Sequence, residues 1–188
     1  MKESKASMKA KIIAALYKIT TGNKIVRILL TPVGGGAFIL VSVILILFSL
    51  AIDELFSFPR LIPNPFSLLL SIPVITVGLV LILWASLLFV KAKGTPVPFS
   101  PPTKLVNSGP YAYIRNPIVL GYILIFFGIG FFLGSISLVL IISPLYFLLL
   151  ILEIKLIEEP ELEKRLGKDY LEYKERVPMF LPRLKIKK

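Results

Sequence analysis

Long apolar runs alternate along the chain with shorter polar and basic segments. Four of these runs contain no Asp, Glu, Lys or Arg. Each is about 18 to 25 residues long, which is the length that an α-helix needs to cross a bilayer. The pattern predicts transmembrane helices over residues 33–52, 66–90, 117–134 and 135–152, the first preceded by Pro32 and the last two joined by a short turn.

The segments before and after these runs are amphipathic. Residues 1–30 are basic, and their apolar positions recur at helical spacing opposite lysines, which is typical of a helix that lies at the membrane interface. Residues 158–188 are again polar, and we expect Pro160 to end the fourth helix and to begin a new amphipathic one. The apolar faces of the two predicted helices comprise Met8, Ile12, Leu16 and Ile19 in the first, and Leu162, Leu166, Tyr170 and Tyr173 in the second.

The basic residues predict the orientation of the chain. Arg60 is the only Lys or Arg between the first and second runs, and the third and fourth runs have none between them. By the positive-inside rule, both termini and the loop of residues 94–116 are then cytosolic. The sequence therefore predicts one domain over residues 1–188: an all-α integral membrane protein with four transmembrane helices, an N-terminal interfacial helix and a C-terminal cytosolic amphipathic helix.

Composition narrows the chemistry that is available to the chain. It is 56% hydrophobic with a mean hydropathy of +0.85, yet its net charge is +11, which is typical of buried spans with cationic flanks. The absence of Cys and His excludes disulfides, thiol chemistry and a Ser-His-Asp hydrolase, and it argues against a metal site of ordinary type. The absence of charge within the four runs disfavours an ion-coupled transporter.

Three predicted cytosolic segments are richer than connectors need to be. They are the loop from Gly94 to Pro117, which ends in L-V-N-S-G-P-Y-A-Y-I-R-N-P, the E-E-P-E-L of Glu158–Leu162, and the Y-L-E-Y-K-E-R-V-P of Tyr170–Pro178 with the following L-P-R of residues 181–183. Because the third and fourth helices are adjacent, the first two segments should meet where those helices reach the cytosol.

Each segment also has a purely structural interpretation. Asn116 could cap the third transmembrane helix, with Pro117 in its first turn. Tyr111, Tyr113 and Arg115 could be interfacial anchors. The glutamates Glu158, Glu159 and Glu161 would favour a helix N-terminus, Glu172 and Arg176 have the spacing of a surface ion pair, and Gly121, Gly128, Gly130 and Gly134 would allow close helix packing.

Together, the order and spacing of the three segments resemble the family of isoprenylcysteine carboxyl methyltransferases and phospholipid methyltransferases, over roughly residues 94–183. Many members of this family have R-H-P where this chain has R-N-P at Arg115–Pro117. In having R-N-P, the chain resembles a prokaryotic subgroup of the family. The resemblance implies S-adenosylmethionine as cofactor. The cofactor-binding residues that it implies are Leu105, Val106, Gly109, Tyr111, Asn116, Pro117, Glu158 and Glu159, and the catalytic residues near the acceptor are Glu172 and Arg176.

The methyl acceptor stays open at this stage. A lipid-like molecule is expected, either an isoprenylcysteine carboxylate or a phospholipid amine, and a small apolar thiol or amine stays open as well. The bilayer is the other expected partner, with no nucleic acid, and a single copy of the chain could form the whole site. Two other functions compete with the methyltransferase: an NADPH-dependent membrane reductase of the sterol-reductase type, and a small membrane scaffold or transporter without enzymatic activity.

Overall fold

The computed structural model describes residues 2–97 and 99–181, with side chains from Met8 onward, and all regular secondary structure in these ranges is helical. Pro98 and residues 182–188 lie outside the described residues. The latter include Pro182 and Arg183 of the L-P-R segment. A 3₁₀ turn, Gly109–Ala112, precedes the fourth helix. The α-helices are α1 Lys2–Thr21, α2 Lys24–Leu55, α3 Phe66–Lys91, α4 Pro117–Leu133, α5 Ser143–Glu153, α6 Glu159–Leu166 and α7 Lys168–Arg176.

Three helices have the length and apolar composition needed to cross a membrane: Lys24–Leu55, Phe66–Lys91 and Leu138–Leu166. Helix α4 is apolar but has only 17 residues, about 26 Å at 1.5 Å per residue, which is at the lower end of the range for a span. The helical, apolar architecture that the sequence predicts is thus confirmed, whereas the number of spans stays a prediction.

The last long helix is a composite of α5 and α6, and we call Leu138–Leu166 the composite helix. Its two α-helical parts are linked and preceded by π-helical turns, Leu138–Ile142 and Ile154–Glu158. The prediction that Pro160 ends this helix is therefore wrong. The π turn loosens the backbone immediately before the proline, so that the ring, which lacks an N–H donor, is accommodated without a break.

The first long helix also begins earlier than predicted. Helix α2 starts at Lys24, behind Asn23, whose side chain accepts a hydrogen bond from the amide of Ile25 at 2.8 Å. Pro32 lies inside α2 rather than at its beginning. The side-chain cap of Asn23 fixes the start of the helix, and the hydropathy pattern marks only the apolar part that follows.

Close packing of α3 on α4 forms the centre of the bundle. A Cβ atom at Gly78 or at Gly121 would lie 2.6 Å from the carbonyl oxygen of the other residue, so these backbones can approach only because both side chains are absent. Gly128 and Gly130 face Ile75 and Val139 in the same way, as predicted. Gly134 has another role, because it ends α4 in the left-handed conformation.

The terminal helices pack on the rest of the molecule at the end where α6 lies. Helix α1 contacts α6, with Leu16 and Ile19 partly buried and Met8 and Ile12 exposed. The single amphipathic helix predicted for the tail is divided into α6 and α7 at Gly167, which has a φ of +59°. The four apolar positions predicted for that helix nevertheless pack together, with Val177 and Leu105.

Candidate functional site

The three motif segments meet at one place in the structure. The backbone amide of Arg115 donates to the carbonyl oxygen of Pro178 at 2.9 Å, and that of Asn116 donates to Met179 at 3.2 Å. The segment that follows α7 is thereby hydrogen-bonded to the segment that precedes α4. Backbone hydrogen bonds of this kind hold an irregular segment in place, so the R-N-P and R-V-P motifs fix each other.

A chain of charges, buried at Arg115 and Glu159, joins the same segments. The guanidinium of Arg115 lies 2.9 Å from a carboxylate oxygen of Glu159. The two groups form an ion pair, but their geometry is not that of a hydrogen bond. The other carboxylate oxygen of Glu159 is 2.6 Å from the Lys174 ammonium, which also contacts Glu163 at 2.8 Å. The side chains of Arg115 and Glu159 are only 10% and 5% exposed. Glu159 thus holds the loop, α6 and α7 together.

Aromatic side chains extend this connection towards α3. The hydroxyl of Tyr173 donates to the backbone carbonyl of Tyr111 at 2.7 Å, and the Tyr111 ring stacks on Phe89 with 5.1 Å between ring centroids. Burial raises the pKa of Tyr173 above its usual 10.0, so its hydroxyl remains a donor at neutral pH. Of the residues interpreted as interfacial anchors, Tyr113 is exposed, whereas Tyr111 is buried in the protein and Arg115 nearly so.

A second ion pair fixes the proline-rich loop. Arg165 donates from Nε to Glu161 at 2.9 Å and from a terminal nitrogen to the carbonyl oxygen of Pro102 at 2.8 Å. Both side chains of the pair are at most 10% exposed. The loop between α3 and α4 is therefore attached to α6, and it folds over a cavity.

This cavity has a volume of about 90 Å³. It is bounded by α1, the end of α3, the loop, α6 and α7. The structure brings together five of the predicted cofactor-binding residues in its wall: Leu105, Val106, Tyr111, Asn116 and Glu158.

The three other predicted cofactor-binding residues lie outside the cavity lining. Gly109 has a φ of +58° and turns the chain against α3, where a Cβ atom would lie 2.8 Å from Leu88. Pro117 is fully buried in the first turn of α4. Glu159 is held in its two ion pairs. In the structure these three residues shape and support the cavity.

Glu158 and Asn116 are polar residues of the cavity wall that take no part in the ion pairs of the site. Within residues 2–97 and 99–181, the side chain of neither has a hydrogen-bond or ion-pair partner. Glu158 ends the π turn of the composite helix and is partly buried. Asn116 occupies the N-cap position of α4, but the predicted cap is wrong because its side chain makes no capping hydrogen bond. Both groups are therefore available to a ligand.

The two predicted catalytic residues lie on the outer side of α7. Glu172 and Arg176 are exposed and do not line the cavity. Their side chains do not form the surface pair that their spacing suggested. The Glu172 carboxylate lies 3.6 Å from Lys168, and Arg176 donates from Nε to the backbone carbonyl of Glu172. Their role at the acceptor stays a prediction.

Several residues of the site were not identified from the sequence. The i,i+4 spacing of Glu161 and Arg165 is a signal in the sequence for their ion pair. The tyrosines of α7 belong to the motif of Tyr170–Pro178. Phe89 at the end of α3 and Leu16 in α1 carry no such signal, because each lies in an ordinary apolar pattern. They reach the cavity through the tertiary packing alone.

Comparison with known proteins identifies the family. No curated protein and no solved structure shows significant similarity to the chain. The family model for phospholipid methyltransferase matches residues 66–169, more than half of the chain. The match runs from the start of α3 through the R-N-P and E-E-P motifs and ends just before Tyr170. On this match and on its long apolar helices, the chain is an integral membrane protein that belongs to the phospholipid methyltransferase family.

Proposed function

We propose that this protein is an S-adenosylmethionine-dependent methyltransferase that binds its cofactor in the cavity between the loop, α6 and α7. The family supports a membrane methyltransferase that acts on lipids. The observation that carries the proposal is the Glu158 carboxylate, which faces the cavity without a partner among the described residues, while the neighbouring Glu159 and Glu161 are neutralised by cations.

The chemistry of the wall fits this cofactor. A free carboxylate suits the positive groups of S-adenosylmethionine, and the Asn116 amide can donate or accept a hydrogen bond to its polar end. The stacked Phe89 and Tyr111, beside Leu105, offer an aromatic and apolar surface for adenine. When bound, the cofactor would supply the methyl group of a sulfonium, from which a neutral thioether departs as a good leaving group.

The residues of the chain can then act mainly by positioning. A carboxylate acceptor needs a cation to orient it, and Arg176 is the predicted one. An amine acceptor must lose a proton, which Glu172 could accept. Both side chains are exposed on α7 and so accessible to a lipid head group at the membrane surface. We leave both acceptors, an isoprenylcysteine carboxylate and a phospholipid amine, within the proposal.

The proposal includes a topology. With four spans and both termini in the cytosol, the cavity opens to the compartment that supplies the cofactor. The distribution of Lys and Arg supports this orientation. Helix α4 would be the shortest span, surrounded by its neighbours.

The structure offers little for the competing functions. A reductase that binds NADPH needs a cluster of cations for the phosphates. Of the three cations in the cavity wall, Arg115 and Arg165 are each paired with a buried glutamate, which leaves only Lys104 among the described residues. A scaffold has no need of an unpartnered carboxylate in a cavity, since such a group costs free energy unless a ligand compensates it.

Calorimetric titration of detergent-solubilised protein with S-adenosylhomocysteine tests the proposal. The informative variant is Glu158→Gln, which keeps the shape of the side chain and removes its charge. The matched control is Glu54→Gln, the same change at an exposed position near the end of α2. We expect the Kd of Glu158→Gln to rise roughly ten-fold or more, because hydrogen bonds to charged groups contribute about 1.5–3 kcal/mol.

Thermal unfolding completes the test. Because Glu158 has no partner in the described part of the chain, Glu158→Gln removes an uncompensated carboxylate and should leave the stability of the ligand-free protein unchanged or raise it. Absence of saturable binding by folded wild-type protein at millimolar ligand overturns the proposed function. Unchanged binding in Glu158→Gln would instead remove Glu158 from the site.

A further inference from the structure

Helix α1 lies outside the matched part of the family model, which begins at residue 66, yet it reaches the cavity. Leu16 contributes to the cavity wall. Thr20, one helical turn further on and hence on the same face of α1, is 4% exposed. A basic interfacial anchor alone would not need a buried polar contact with the site.

Thr20 is connected through hydrogen bonds to the loop that covers the cavity. Its hydroxyl donates to a carboxylate oxygen of Glu161 at 2.7 Å, in a buried contact between residues 141 positions apart. The same oxygen accepts from Nε of Arg165 at 2.9 Å, and Arg165 donates onward to the carbonyl oxygen of Pro102 at 2.8 Å. Three parts of the chain therefore share one small network.

Two further contacts hold α1 in this position. The ammonium of Lys164 lies 4.2 Å from the centre of the Tyr17 ring, a favourable cation–π distance. The guanidinium of Arg27, in the first turn of α2, donates to the carbonyl oxygen of Thr20 at 2.8 Å. These contacts attach the end of α1 to α6 and to α2.

We propose that α1 completes the cofactor cavity and that Thr20 is a positioning residue of the methyltransferase. Its hydroxyl orients the Glu161 carboxylate, Glu161 orients Arg165, and Arg165 holds the proline-rich loop over the ligand. Because Glu161 is buried, loss of the hydroxyl leaves an acceptor position that water cannot easily fill. This inference rests on the proposed cofactor site.

Substitution of two adjacent threonines tests the inference. Thr20→Val removes the hydroxyl and keeps the shape, and Thr20→Ser restores the hydroxyl. Thr21→Val is the matched control, because Thr21 is exposed and its hydroxyl only reaches the carbonyl of Tyr17 within α1. We expect the Kd for S-adenosylhomocysteine to rise on the order of five-fold in Thr20→Val and to return towards wild type in Thr20→Ser.

The readouts separate positioning from general destabilisation. A positioning role raises the Kd of the cofactor product and the KM of the cofactor but leaves the KM of the lipid acceptor unchanged. If wild type binds and Thr20→Val binds as tightly as Thr21→Val, the inference is overturned while the proposed function stands. If wild type itself does not bind, the proposed function fails first.

A second measurement decides the inference if Thr20→Val does not fold. The chain has no cysteine, so Leu16→Cys introduces a single thiol in the cavity wall. We expect bound S-adenosylhomocysteine to slow its modification by a maleimide, whereas Ile12→Cys, one turn earlier and exposed, reacts at the same rate with and without ligand. Equal lack of protection at both positions would show that α1 is no part of the cavity.

Discussion

Two regions of the molecule are stabilised in different ways. The apolar bundle consists of α2, α3, α4 and α5, and the motif region consists of residues 94–116 and 158–179. In the bundle, apolar side chains such as Ile123 and Phe126 fill the core, and serine hydroxyls such as those of Ser42 and Ser49 donate to carbonyls of their own helix. In the motif region, ion pairs and backbone hydrogen bonds connect distant segments.

The difference follows from the surroundings of each region. Within a bilayer, apolar surface gains little by leaving lipid, so helices associate through close packing. Near water, an irregular loop and two short helices lack enough apolar surface to be held by packing alone, and specific polar contacts position them. Changes in the bundle should therefore act on folding, and changes in the motif region should act on ligand binding as well.

The largest expected effect is that of Glu159→Ala. The substitution leaves Arg115 buried without its partner, which typically costs roughly 3–5 kcal/mol of stability. Binding of S-adenosylhomocysteine should be lost as well, because the loop, α6 and α7 separate. Thermal unfolding and calorimetry of the detergent-solubilised variant measure the two effects.

Glu163→Ala is the control for this prediction. Glu163 contacts the same Lys174, but its side chain is 36% exposed, so a cost below about 1 kcal/mol is expected. Equal stability of the two variants would contradict the structural role assigned to the buried pair.

An intermediate effect is expected for Gly121→Val in the bundle. A Cβ atom at this position would lie 2.6 Å from the carbonyl oxygen of Gly78 and 2.8 Å from the Ile82 side chain, and overpacking of this kind costs about 1–3 kcal/mol. Gly36→Val is the control, because no atom lies within 4 Å of a Cβ atom there. Urea or thermal unfolding compares the pair, and similar midpoints would argue against close packing of α3 on α4.

The smallest effect is expected for Tyr173→Phe, which removes the hydrogen bond to the Tyr111 carbonyl. A loss of about 1 kcal/mol is typical for such a bond, together with a measurable rise in the Kd of S-adenosylhomocysteine, since both tyrosines line the cavity. Tyr113→Phe, at an exposed ring, should change neither quantity. A larger effect at Tyr113 would contradict the assignment of the cavity.

The sequence predicted the coarse fold because hydropathy is a local property of the chain. The long apolar helices lie where the uncharged runs are, and the two short helices of the tail keep the predicted apolar face. The family, too, was predicted from the order and spacing of the motifs and is confirmed. Two boundaries were predicted wrongly. The first long helix starts earlier, at the side-chain cap of Asn23, and the fourth helix continues past Pro160, since the π turn before it depends on packing.

Individual roles within the motifs depend on helix phase and long-range contacts, which a pattern does not contain. Glu158 and Glu159 are adjacent and chemically identical. Among the residues that the structure describes, Glu158 faces the cavity without a partner, whereas Glu159 is buried between two cations. Likewise, Leu16 and Thr20 belong to an ordinary amphipathic pattern until α6 packs against them. By itself, the sequence determined the apolar helices and the family; the tertiary structure alone decided which polar groups compensate each other and which are left for a ligand.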